Sequence, residues 1–261
     1  MLRMIVCDWN GTLFREPMEE TFFLGLCRRA FRRAVLRGRL RQAARLMARG
    51  VRCLGHYRAA RKHPDRTLEH IGRIIELLNP LAFAGLHRDE LAAYVARYAR
   101  RIQPLLDRRL LDPIAEVARP AGVAFGVVSS GCRRGIEAAL AGAGLRADFV
   151  LANDFRMDGD VTAGFDFAIG HNKRELLADL LARRGVDPAE VMYIGDSPQD
   201  AACLALVGLP VVSFFAAPAA REHLAREHRA FAPPDPPAFA AHLREAIGRR
   251  DRGMPSPVFG R

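Results

Sequence analysis

Five short, unbroken apolar runs constrain this chain more than any other feature: residues 3–8 (RMIVCD), 121–130 (AGVAFGVVSS), 148–152 (DFVLA), 190–196 (EVMYIGD) and 210–215 (PVVSFF). Apolar runs without polar alternation suit strands buried on both faces, and a sheet of such strands is parallel. Parallel strands need crossovers, and helical patterns over 133–143, 172–184 and 198–207 supply them. The expected fold class is α/β, with a Rossmann-like doubly wound parallel sheet as its core. Such sheets bind ligands beyond the carboxyl ends of their strands. Three of the runs end in a side chain able to do chemistry: Asp8, Ser129 and Asp196.

The interval from about residue 16 to 110 has another texture. It is dense in Leu, Ala and Arg, with apolar residues at helical spacing, such as Leu26, Ala30, Phe31, Ala34 and Val35, then Leu40, Ala44 and Met47. Gly38, Gly50, Gly55, Pro64, Pro80 and Pro104 divide it into several helices. No strand-like run interrupts it, so the expectation is an all-helical insertion after the first strand and its turn. The organisation is then residues 1–15 and 111–250 as the core, 16–110 as the insertion, and 251–261 as a flexible tail. A further helix is expected over 237–249.

Composition narrows the function classes. The apolar runs, such as Val123–Val128 and Pro210–Phe215, fall far short of the roughly 20 residues that span a membrane. Met1 leads straight into a strand-like run with no small-residue cleavage site, which argues against a secretory signal. The five cysteines (Cys7, Cys27, Cys53, Cys132 and Cys203) are odd in number and form no CxxC pair. Buried free thiols in a reducing cytoplasm are the expectation. The net charge is +11, and most of the imbalance lies between Arg15 and Arg66, where 15 basic residues meet four acidic ones. Only Lys62 and Lys173 among the 40 basic residues are lysines, so a general preference for arginine accounts for much of the charge. One Trp, four Tyr and no recognised nucleic-acid motif argue against a nucleic-acid partner.

Four segments carry chemistry. In DWNGTL (8–13), a strand-end carboxylate precedes a turn through Gly11 and Thr12 whose backbone N–H groups can face an anion. An aspartate so placed can attack phosphorus and divide one hard step into two. In VVSSG (127–131), Ser129 can hydrogen-bond a phosphoryl oxygen, and Ser130 and Gly131 can add backbone donors at the next helix N-terminus. Serine as a plain helix cap is the competing reading. Lys173, in GHNKRELL, sits in the first turn of an expected helix, where an ammonium can pin a phosphoryl oxygen between crowded carboxylates. In IGDSPQDA (194–201), Asp196 and Asp200 lie four apart across a strand-to-helix turn. With Asp8 they make a hard oxygen site suited to Mg²⁺.

Order, spacing and strand-end placement agree across all four segments, and the series DWNGT, VVSSG, Lys173 and GDSPQD resembles the four motifs of the haloacid dehalogenase superfamily. The resemblance covers about residues 3–14 and 112–232. LANDFRMDGDVTAGF (151–165) is similar to the segment before the third motif in phosphoserine phosphatase-like members, and the helical insertion resembles the family's C1-type cap domain. The resemblance implies a Mg²⁺-dependent phosphatase that acts on a small phosphate monoester through an aspartyl-phosphate on Asp8. Ser129 and Lys173 would hold the phosphoryl group. Asp8, the Asn10 backbone carbonyl and Asp196 would hold Mg²⁺, and Asp200 would orient Lys173 or a metal-bound water.

Asn10 departs from the pattern. Family phosphatases usually carry a second aspartate there as general acid and base, and losing such a group costs about 10²–10⁴-fold. Hydrolysis is then slow or another group moves the proton; or the phosphoryl group passes to an acceptor other than water; or the residue is an engineered substitution. A regulatory protein that keeps the phosphate site without turnover is a further alternative. Among the insertion's arginines, Arg28, Arg29, Arg32 and Arg33 are candidates to attract an anionic substrate, although solvated helix faces explain most of them. Another alternative is a lipid-phosphate phosphatase whose helix at residues 21–49 lies on an anionic membrane with Phe22, Phe23, Leu24 and Leu26 inserted. His56, His63 and His70 recur every seven residues, but Pro64 should break a helix they would share. His171, beside Lys173, is expected in a surface loop.

Overall fold

The computed structural model describes residues 1–16, 18–63 and 66–248, so Pro64 and the tail expected over 251–261 lie outside the described residues. Six strands form one sheet: β1 (Met4–Cys7), β2 (Ala124–Cys132), β3 (Phe149–Asp158), β4 (Val161–Asp166), β5 (Val191–Gly195) and β6 (Leu209–Val212). Their order is β4-β3-β2-β1-β5-β6. All neighbours are parallel except β3 and β4. Every residue of β1 and β5 is buried, as unalternated apolar runs require. β1 lies between β2 and β5, where the chain reverses its direction of winding. That switch point is where open α/β sheets leave a crevice at the strand ends.

Helices α1 (Leu24–Leu36), α2 (Leu40–Lys62), α3 (Thr67–Leu78) and α4 (Arg88–Ile102) occupy the interval between β1 and β2. The crossover and flanking helices are α5 (Arg108–Pro113), α6 (Arg133–Gly142), α7 (Lys173–Arg184), α8 (Ala201–Leu204), α9 (Pro218–Glu227) and α10 (Pro236–Gly248). The helix expected over 198–207 is shorter, because Pro198–Asp200 forms a 3₁₀ turn before α8 begins. α5 and α9 were not legible as helices in the sequence.

The third strand is also longer than its apolar run. It continues to Asp158 and turns back as β4, with Asp158 paired to Val161 across Gly159-Asp160. A two-residue Gly-Asp turn between residues that alternate, buried Phe155 beside exposed Arg156, is a hairpin signal that the apolar-run criterion overlooks. This hairpin seats the helical insertion. Phe155 and Phe165 pack edge-on at 5.1 Å, and Phe22, Phe23 and Phe83 join them. Each buried Phe contributes roughly 1.5–3 kcal/mol. Asn79, just after α3, brackets the backbone of Phe165, accepting from its N–H at 2.7 Å and donating to its carbonyl at 2.9 Å.

These contacts correct the membrane surface read from the sequence. Phe22, Phe23 and Leu26 are buried in the core, and Leu24 alone of that set is exposed. Rings committed to Tyr98, Phe83 and Phe165 cannot also enter a bilayer. Arg29 and Arg33 pair with Glu90 of α4, which ties α1 to α4. His56 on α2 and His70 on α3 meet at 3.4 Å between their Nδ1 atoms. His63 instead follows the end of α2, so the heptad spacing makes no three-histidine stripe. All five cysteines are free thiols, three of them buried. Among the described residues no helix is long and apolar enough to cross a membrane.

Candidate active site

Asp8 follows the last residue of β1, and its N–H donates to the carbonyl of Ile194 on β5 at 2.9 Å. That bond carries the sheet one step beyond the strand and holds the Asp8 backbone still. Cys7 is level with Ile194 on one side and Val127 on the other. Asp196 and Ser129 therefore emerge two residues beyond the Cys7 register on the two flanking strands, at the same end of the sheet as Asp8.

Lys173 is the first residue of α7, and only 6% of it is exposed. Its Nζ donates to Asp8 Oδ1 at 2.8 Å and to Asp200 Oδ1 at 3.2 Å. Burial alone would depress this ammonium's pKa, but Asp200 and Asp8 outweigh it and hold the pKa above the ordinary lysine value. Oxygens of Asp8, Asp196 and Asp200 lie within 4.8 Å of one another, so three carboxylates share one ammonium. Burial pushes Asp8 from 3.8 up to about 6, with Lys173 opposing the rise and Asp200 adding to it. Burial, then Asp200 and Asp8, push Asp196 up to about 8. The cluster carries more negative charge than its protein partners compensate. A hard divalent cation would remove that excess, and the all-oxygen donor set suits Mg²⁺.

The carboxylates differ in what they have left to offer. Asp200 Oδ1 accepts from Lys173 and from Tyr193 Oη at 2.9 Å. Its Oδ2 accepts from the N–H groups of Asp196 and Ser197 and from Ser197 Oγ. With both oxygens engaged, Asp200 fixes the turn and aims Lys173. Asp196 takes a hydrogen bond from Thr12 Oγ1 on Oδ1 at 3.0 Å. Thr12, expected to contact phosphate, directs its hydroxyl to Asp196 here. Gly11 has φ +74°, and a Cβ there would lie 2.3 Å from Asp196 Oδ2, so only glycine lets the DWNGT turn lie against Asp196.

The Asn10 side chain is engaged by the returning chain. Its Oδ1 accepts from the Met18 N–H at 3.1 Å. Met18 then bridges to the second motif, where its sulfur accepts from the Cys132 N–H at 3.0 Å. A Cβ on Gly131 would meet that sulfur at 2.8 Å, so Gly131 makes room for Met18 as well as a turn. Ser129 is fully buried and its Oγ accepts from the Gly131 N–H at 3.0 Å. Ser130 is buried, with its carbonyl accepting from Asn153 Nδ2. His171 is exposed in the loop before α7.

Three supporting residues were not read from the sequence. Tyr193 is buried in β5 and donates to Asp200; a hydroxyl inside an apolar strand, directly before IGDSPQD, was its only signal. Ser213, just past β6, donates to the Gly11 carbonyl at 3.0 Å and so braces the DWNGT turn from a fourth strand end. Met18 carried no signal at all.

Comparison with known proteins bears on the family and the fold. A family model described as haloacid dehalogenase-like hydrolase matches residues 5–205. Phosphoglycolate phosphatase of Synechococcus elongatus is 34% identical over 134 residues, which is 50% of this chain and 58% of that protein. The match thus spans little more than half of the curated relative's length. A solved protein of unknown function from Bordetella pertussis Tohama I superposes with a TM-score of 0.63 at 18% identity, covering 89% of this chain and 98% of that one. A probable phosphoserine phosphatase from Vibrio cholerae gives 0.58 at 15% identity, covering 98% and 68%.

Proposed function

The chain belongs to the haloacid dehalogenase-like hydrolases, and from that premise we propose that it hydrolyses a small phosphate monoester through an aspartyl-phosphate formed on Asp8. The observation that carries this reading is Lys173 Nζ, buried between Asp8 and Asp200 with Asp196 in the same cluster. In the first step an Asp8 oxygen attacks phosphorus, the ester P–O bond breaks, and the leaving alkoxide takes a proton from solvent water, because the Asn10 amide cannot supply one. In the second, water attacks the acyl phosphate, releasing phosphate and restoring the carboxylate. Lys173 offsets charge on the transferring oxygens, and Ser129 with the Ser130 and Gly131 backbone would receive them. Asp8, Asp196 and the Asn10 backbone carbonyl would hold Mg²⁺, with Asp200 at its margin; the ion would supply charge neutralisation for the phosphoryl group.

Residues 1–15 and 111–250 act in this reading as the catalytic core, with 16–110 as a cap that selects substrate. The relatives' names support a small phosphorylated metabolite. Free thiols are in keeping with a reducing, cytoplasmic setting.

One observation favours a second reading. Asn10 has a structural partner in the Met18 N–H, so an amide sits comfortably where a proton-transferring carboxyl would help. A long-lived aspartyl-phosphate that passes its phosphoryl group to another acceptor, or a phosphate-binding regulator without turnover, fits the same site. Asp8→Asn decides whether Asp8 is the nucleophile. Steady-state release of phosphate from an aryl phosphate with Mg²⁺ present should vanish, and residual turnover above about 1% would remove Asp8 from that role. A panel of phosphorylated metabolites and lipids, screened with and without Mg²⁺ for release of inorganic phosphate and for phosphorylation of added acceptors, identifies the substrate class and separates hydrolysis from transfer.

A further inference from the structure

The insertion leaves a row of aliphatic side chains in solvent. Leu36 ends α1 with 83% of its surface exposed, and Leu40, Met47, Val51 and Leu54 on α2 follow at 68, 62, 68 and 54%. On a helix of 3.6 residues per turn the four α2 positions fall within an arc of about 60°. They form a stripe roughly 21 Å long at 1.5 Å per residue. The adjoining side of α2 does the folding: Ala43, Leu46 and Ala60 are buried, and Arg49 donates to the Leu77 carbonyl at 2.8 Å. α2 therefore carries a broad apolar arc and packs only one side of it. Single exposed aliphatic residues are ordinary, but an aligned row of them marks an interaction surface.

Charge identifies what the row meets. Arg41, Arg45 and Arg52 border the stripe at about 100–140° from Leu40 on the helical wheel, and all three are exposed. Arg37 and Arg39 stand at the α1–α2 corner. Among the described residues none of these five has a carboxylate within ion-pair distance, whereas Arg29 and Arg33 on the packed side share Glu90. From Thr21 to Pro64 the sequence contains no Asp or Glu. Arg39, Arg41 and Arg45 also line an open cleft of about 600 Å³ with Leu40 and Leu81.

We propose that this face of α2 docks the protein on an anionic lipid bilayer, the aliphatic stripe at the acyl boundary and the arginines among headgroup phosphates. A second copy of the chain would bring one acid-free arginine face against another. A nucleic acid would satisfy the arginines and leave the stripe without an apolar partner. The surface is distinct from the Phe22, Phe23 and Leu26 set, which the core consumes. The inference stands independently of the reaction at Asp8.

The test is co-sedimentation of the full chain with vesicles of phosphatidylcholine alone or mixed with phosphatidylglycerol, in about 0.1 M and 0.5 M salt. Binding is expected to the anionic vesicles only, and to weaken at high salt. The triple variant Met47→Gln, Val51→Gln, Leu54→Gln should lower partitioning at least about tenfold. Arg45→Glu with Arg52→Glu should lower it roughly 30-fold. Both variants change solvent-exposed side chains, so melting temperature and turnover on a soluble aryl phosphate should match the parent and show that the fold survives. Absence of vesicle binding, equal binding to neutral vesicles, or binding unchanged in the triple variant would overturn the proposal. So would a dimer in sedimentation velocity that the triple variant abolishes, or oligonucleotide binding that outcompetes anionic vesicles.

Discussion

Replacing Lys173 by methionine keeps the apolar stem and removes the charge, which makes the substitution a direct probe of the carboxylate cluster. Nζ lies 2.8 Å from Asp8 and 3.2 Å from Asp200, with both partners buried. Removing one member of such a group leaves uncompensated buried charge and costs about 3–5 kcal/mol. Asp8 can relieve part of that by taking up a proton. Its pKa is already raised to about 6, mainly by burial, with Lys173 holding it down. Without Lys173 it rises further. A carboxyl whose folded pKa lies above its unfolded value of 3.8 contributes stability that is intact below about pH 4 and lost as pH rises through the folded pKa. In the parent that loss is complete somewhat above pH 6; in Lys173→Met it continues to higher pH. The stability gap between the two should thus widen with pH. At pH 8 it should reach about 3 kcal/mol, or roughly 6–12 °C in melting temperature for a chain of this size. At pH 5 it should be less than about half as large, because both proteins then carry a protonated Asp8. Thermal melts followed by circular dichroism in EDTA at pH 5, 6.5 and 8 measure it. A gap of the same size at all three values would mean that Lys173 matters for packing and that the charge argument is wrong.

Asn10→Asp keeps an acceptor for the Met18 N–H and adds an acid; aryl phosphate turnover should rise, by up to about 10² or more, and an unchanged rate would show that proton transfer does not limit the reaction. Gly11→Ala forces a non-glycine residue into a φ of +74° with its Cβ 2.3 Å from Asp196. The backbone alone costs about 1–2 kcal/mol, and Mg²⁺-dependent turnover should fall more than about tenfold; parental Mg²⁺ titration curves would refute the close-packed turn. Mg²⁺ must displace protons that Asp8 holds up to about 6 and Asp196 up to about 8. The rise in melting temperature on adding Mg²⁺ should therefore be larger at pH 8 than at pH 6, and a rise independent of pH would place the ion elsewhere.

The sheet and the acidic cluster were legible because their signals are local. An unalternated apolar run specifies a strand buried on both faces, and the residue that ends it is delivered to the sheet's rim wherever the strand lies. Asp8, Asp196 and Asp200 could therefore be assigned together before any contact was known, and Lys173 stood out as a lysine in a chain of arginines. The β3–β4 hairpin was missed because Phe155 and Met157 alternate with Asp154, Arg156 and Asp158, and a search for continuous runs passes over them.

What the sequence by itself determined is a parallel α/β core with carboxylates at the ends of its first and fourth apolar runs. Only the tertiary structure decided which groups support them: Ser213 reaches the Gly11 carbonyl across 202 positions, and Cys132 reaches Met18 across 114. It also decided which way α2 faces. Ala43, Leu46 and Ala60 lie on one side of that helix's apolar arc and Leu40, Met47, Val51 and Leu54 on the other. Helical periodicity ranks the two alike, because an amphipathic pattern records where apolar residues lie around an axis and not which of them a neighbouring element will cover.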